Sequence, residues 1–304
     1  MFGMTGYLNG IILISMISAE LQLNEGIFNN IGLIGFTNGS SSSYNNIYVQ
    51  IQIKDNHGLY IGAIAGRIFT NQWQAQNITV NESYISGNRL LGLFTSSTQT
   101  GNIIQCSFSS SYIFADNQDQ AFIGGLIGDT ENSLVVQQCI VQNISLFSNN
   151  TYAWSISAGL IGDTHDHLTM VQQTIVQSSN VQSYGAVQQF VSSAGLIACA
   201  YRSITTQDVQ VSNMNILASS STYLSSCAGL VSKICNQTIT TTNTKITSIQ
   251  IYCQGIPFEV GIVFTYGTQT IYNIDNTQTH GTNSINDTPI TNCVSVATYS
   301  QSGC

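Results

Sequence analysis

The densest set of chemistry-bearing side chains in this sequence is Asp163-Thr164-His165-Asp166-His167. If that bend is extended, His165 and His167 share one face, and Asp163 with Asp129 and Glu131 from the preceding segment supplies the carboxylates that could complete a divalent-metal site. Against this stands Asp129-Thr130-Glu131, which occupies the same place one segment earlier and reads the whole set as solvated turn residues. His57 and His280 have no companions and read as surface residues. The basic residues are Lys54, Arg67, Arg89, Arg202, Lys233 and Lys245, and none is expected to share a position with an Asp cluster. Hydrolysis of a glycosidic bond needs two carboxylates ~5–9 Å apart, and the pectin-hydrolase signatures N-T-D and G-H-G are absent. The sequence therefore assigns no catalytic, cofactor-binding or metal-binding residue, and calls for no cofactor.

What must position these side chains is a repeat. A short apolar, glycine-bearing phrase returns about every thirty residues, as expected of a repeat architecture. Its clearest copies are Ile31-Gly32-Leu33-Ile34-Gly35, Gly124-Gly125-Leu126-Ile127-Gly128 and Ala158-Gly159-Leu160-Ile161-Gly162. Further copies lie around Gly3, Ala63, Gly92, Gly195, Gly229 and Gly261. Between them run β-branched segments such as Leu134–Val141 and Ile239–Ile246, which favour strand over helix. The pattern predicts an all-β chain, a parallel β-helix of about nine coils with three short strands per coil. Leu33, Leu126, Leu160, Leu196 and Leu230 are expected to stack inside. Stacked coils align equivalent residues, which predicts a ladder of Gln105, Gln138 and Gln172 and places Cys106 beside Cys139 as small buried core residues. The phrase glycines are expected to supply positive φ or close backbone approach. A phosphate-binding glycine loop is disfavoured, because no helical periodicity follows any copy.

The repeat spans 1–264. Residues 265–304, with Cys293 and Cys304, read as a cap or the start of a cysteine-containing module. The apolar run Ile11–Ile17 lacks a preceding basic residue and reads as a strand of the first repeat rather than a secretion signal, so the chain is expected to begin inside a repeat. Such an edge could support end-to-end self-association. No segment is long and apolar enough to span a membrane.

Composition narrows the function classes. Of the 304 residues 43% are apolar and only 7% charged, with a formal charge of −8. No basic stripe could track a phosphate backbone, so nucleic acid is excluded as an expected partner. The eight cysteines show no metal-finger spacing. Sequons at Asn38, Asn77, Asn81, Asn143, Asn149, Asn236 and Asn286, with few lysines, lean toward an oxidising, extracellular setting.

The phrases at Gly32–Gly35, Gly125–Gly128 and Gly159–Gly162 resemble the GLUG motif, glycine-leucine-hydrophobic-glycine, of repeat-bearing surface and secreted proteins, including bacterial adhesins. Ala63 replaces the first glycine in one copy; Thr95, Ala198, Ser232 and Phe264 replace the second in others. The resemblance implies a non-catalytic extracellular or cell-surface protein, adhesive or scaffolding, that meets protein or glycan ligands. The alternative is a carbohydrate-active β-helix enzyme, a polysaccharide hydrolase or lyase.

Overall fold

The computed structural model describes the backbone of residues 5–24, 30–54, 58–117, 120–150, 153–165, 168–185, 190–220, 225–234 and 238–254, with further strand segments up to residue 299. Side chains are described between residues 30 and 253. Every regular element among the described residues is a β-strand, and no helix is long and apolar enough to cross a membrane.

One coil shows the plan: Ala121–Gly124, Ile127–Thr130, Leu134–Gln137, Ile140–Gln142 and Ser145–Asn150 are its strands. Each lies parallel to its equivalents in the coils before and after, so that Ile127 pairs with Thr95 on one side and Ile161 on the other. The row Ile34, Ala65, Thr95, Ile127, Ile161, Ile197, Val231 advances by six such pairings, about six turns of a β-solenoid. The expected nine differ from this at the ends. There Thr5–Asn24 pairs in parallel with Ile34–Lys54, and Phe258–Tyr266 with Ser225–Ile234 and Val296–Tyr299. Ile12 and Ile14 lie in the first of these strands. Parallel pairing runs on past residue 265, where Ile271–Asp275 lies beside Thr238–Thr242.

The coil of residues 121–150 is divided into five strands, whereas the coil of Ser225–Ile234, Thr238–Thr242 and Lys245–Gln254 has the expected three; single residues in the left-handed region bend the β-branched runs. Gln105, Gln138, Gln173, Asp208 and Asn243 form one corner row with φ of 47 to 57°, and Glu82, Ser110, Asn143, Ser178, Asn213 and Ser248 form a second with φ of 48 to 53°. Amide, carboxylate and hydroxyl side chains tolerate this region better than β-branched ones. At seven of these eleven corners a small hydroxyl or thiol follows and donates back to the carbonyl before the corner, whereas Ile144, Val209, Met214 and Ile249 follow the other four. Cys139 reaches Gln137 O at 3.3 Å, Thr174 reaches Gln172 O at 2.8 Å and Ser111 reaches Ser109 O at 2.7 Å.

The register also corrects the glutamine ladder. Gln138 Nε2 donates to Gln173 Oε1 at 3.1 Å, whereas Gln172 stands level with Gln137 and Gln207. Leu33, Leu126, Leu160, Leu196 and Leu230 are buried in the core as expected. So are Cys106 and Cys139, as free thiols, with the Cys106 thiol pushed up by its bond with Cys139 and by burial.

The glycine phrase is buried on both sides, which accounts for its near-continuous apolar character. Ala121, Ile123, Leu126 and Ile127 face the main core, whereas Phe122 joins a second apolar cluster with Leu90, Ile156, Phe190 and Cys199. Its glycines serve close approach: a Cβ on Gly159 would overlap the carbonyl oxygen of Gly195 on the next coil.

Candidate functional site

The strand that follows the glycine phrase aligns one residue per coil, and Cys199 of this row belongs to the second apolar cluster. Pairing puts Arg67, Ser97, Asp129, Asp163, Cys199 and Lys233 in a single row. Two cations and two carboxylates thus share a repeat position, contrary to the sequence expectation. The signal was present: Arg67, Asp129, Asp163, Cys199 and Lys233 each stand four residues after their anchors Ala63, Gly125, Gly159, Gly195 and Gly229. A second row stands beside the first, because Glu131 N donates to Thr98 O, His165 N to Thr130 O and Tyr201 N to Thr164 O on the preceding coils.

Asp129 and Asp163 are not solvated turn residues: they are 8% and 1% exposed. His165 Nε2 lies 3.3 Å from Asp129 Oδ1 and 3.2 Å from Asp163 Oδ2. Neither contact is aligned as a hydrogen bond, so Asp129 Oδ1 and both Asp163 carboxylate oxygens stay buried without a hydrogen-bond partner. The imidazole is partly exposed and stacks on the Tyr201 ring, with centroids 5.3 Å apart and planes 5° from parallel. Burial pushes the Asp129 carboxyl up to about 6, a rise that Asp163 reinforces and the contact with His165 opposes. The contacts with Asp129 and Asp163 push His165 up to about 11.

Of the sequence candidates, the fold brings Asp129, Asp163 and His165 together, with their ligand atoms all within 4.8 Å of one another. Glu131 turns instead to Arg67, 2.9 Å away, and to Gln99. Asp166, His167 and His57 lie outside the described residues, as does the side chain of His280.

Sequence reasoning missed the neighbours of this cluster. Lys233, only 4% exposed, places its Nζ 4.6 Å from the Phe190 ring, 4.9 Å from Trp154 and 5.7 Å from Tyr201, an aromatic cage that stabilises a desolvated cation. Cys199 between Asp163 and Lys233 is fully buried, and burial pushes its thiol up.

A different, outward-facing surface carries an aromatic stair. Tyr84 stacks on Tyr112 at 5.5 Å, Tyr112 on Phe114 at 6.4 Å, Phe114 on Phe147 at 5.2 Å, and Phe147 contacts Tyr184 at 5.2 Å. Tyr84 and Tyr112 are each 37% exposed. The Tyr112 row continues through Ser145 to Asn180 and Asn215, whose amides bond at 2.8 Å.

Comparison of the chain with protein-family models, with curated proteins and with solved structures finds no match in any of the three.

Proposed function

We propose that this chain is a non-catalytic extracellular repeat protein, of the kind the GLUG-like phrases imply, that acts in adhesion or scaffolding by binding an extended glycan along the solenoid. The observation that carries this reading is the aromatic stair from Tyr84 to Tyr184, continued by the Asn180–Asn215 amide ladder. Stacked, half-exposed rings offer apolar faces to sugar C–H groups, and flanking amides offer donors and acceptors to hydroxyls. Both recur at the coil spacing, so they suit a ligand that itself repeats. Parallel coils also present unpaired backbone wherever a stack stops, so end-to-end association of copies belongs to the same reading.

One observation favours a second reading, a polysaccharide-acting enzyme: Asp129 and Asp163 share a 4.8 Å space with His165. Their burial leaves His165 as the accessible member, which suits a reaction on a large substrate poorly. Incubation of the folded chain with immobilised neutral and acidic polysaccharides, with assay of both retention and released sugar ends, separates the readings. Retention without release supports the scaffold; release of products supports the enzyme; neither retention nor release overturns the glycan reading.

A further inference from the structure

We propose that Asp129, Asp163 and His165 bind one divalent transition-metal ion, with Zn²⁺ the best fit. Such a site is independent of glycan binding and answers an unmet electrostatic demand. Three carboxylate oxygens, Asp129 Oδ1 and Asp163 Oδ1 and Oδ2, are buried without a hydrogen-bond partner. An ionised carboxylate taken from water is strongly disfavoured unless a cation or donors replace the lost hydration. A single partly exposed imidazolium against two such groups leaves that demand incompletely met.

The spacing matches coordination. Zinc bonds to carboxylate oxygen and imidazole nitrogen are about 2.1 Å long, and a tetrahedron with such bonds has edges of about 3.4 Å. His165 Nε2 stands 3.3 Å from Asp129 Oδ1 and 3.2 Å from Asp163 Oδ2. An ion can therefore enter with small side-chain movement, displacing the imidazole proton. Two carboxylates and one imidazole form an O,O,N donor set suited to Zn²⁺ or its neighbours, whereas Ca²⁺ and Mg²⁺ prefer six or more oxygens.

The surroundings fix the donors. Asp129 and Asp163 are paired on adjacent strands, and the Tyr201 ring lies flat against the imidazole. The stacked ring limits rotation of the imidazole, and strand pairing holds the two carboxylates side by side. The partly exposed side of His165 gives the ion an entry path and leaves a fourth position for water.

The test uses the full chain, dialysed against chelator and titrated with ZnCl₂ by calorimetry at neutral pH, with bound metal counted after equilibrium dialysis. The expected result is one Zn²⁺ per chain with a dissociation constant below about 10 μM, which corresponds to about 7 kcal/mol of binding free energy. His165→Ala and Asp163→Asn should each weaken binding at least tenfold, whereas Asp208→Asn, at a remote exposed corner, should leave it unchanged. His165 is partly exposed, so His165→Ala keeps the test valid if Asp163→Asn fails to fold. Absence of saturable one-to-one binding, or wild-type binding by His165→Ala, overturns the assignment.

Discussion

Asp129 and Asp163 are directly paired neighbours on successive coils, and both bury carboxylate oxygens that no hydrogen bond satisfies. Like charges stacked one above the other are normally avoided in a sheet. Their tolerance here depends on His165, so the proton on that imidazole should influence stability.

In metal-free protein the His165 contribution has a definite sign. Its folded-state pKa, raised to about 11 from 6.5, makes the folded chain hold a proton that the unfolded chain releases. That contribution is full below pH 6.5 and is lost as pH rises through about 11. Asp129, raised to about 6 from 3.8, adds the same sign lower down, complete below 3.8 and lost as pH rises through about 6. Wild type should therefore lose more stability than His165→Ala between pH 7 and pH 10, read from urea midpoints. Equal losses would contradict the coupling.

Leu160→Ala should destabilise the chain by ~2–5 kcal/mol, because Leu160 is fully buried in the main core. In a repeat array the damage should stay close to its coil. Hydrogen exchange should rise mainly between residues 125 and 195; uniform loss of protection along the chain would count against a solenoid.

Gly159→Ala should be worse than Gly185→Ala. An added Cβ at Gly159 runs into the Gly195 carbonyl, part of the backbone of the next coil, whereas at Gly185 it meets a side-chain methyl, Val191 Cγ2 at 2.5 Å, and no backbone atom closer than 4.0 Å. Overpacking costs ~1–3 kcal/mol, with backbone clashes toward or beyond the upper end. Thermal midpoints rank the two, and the reverse order would refute the close-approach role.

Asn143 sits at a corner with φ 52°. Asn143→Val should cost more than the ~1–2 kcal/mol typical of a left-handed residue with a Cβ, since branching adds crowding. Asn143→Gly should be close to neutral or stabilising. Comparable loss in both variants would mean the side chain, not the backbone angle, matters there.

The glycine phrase made the solenoid and its leucine row legible, because inward positions of stacked parallel strands must be apolar and recur in register. The corner rows were not legible. Gln138 and Asn143 look like ordinary polar residues inside β-branched runs, and only their backbone angle, set by cross-coil pairing, makes them corners. The Gln172 misalignment has the same origin: the segment from anchor to corner is one residue longer in that coil, so counting from glycine slips while hydrogen bonding does not. The Arg67-to-Lys233 row was readable as a fixed offset from each anchor, but its chemistry was not. Asp163 is paired with Cys199 and acts electrostatically on Tyr201, both from the next coil, which no local pattern connects to it.

Glycan contact on the outward aromatic row, as proposed, is tested by titrating a retained polysaccharide against wild type and the Tyr112→Ala/Phe147→Ala double variant, with far-ultraviolet circular dichroism to verify that both are folded. Binding by the variant should be at least tenfold weaker with an unchanged strand spectrum. Wild-type affinity in the folded double variant would contradict it.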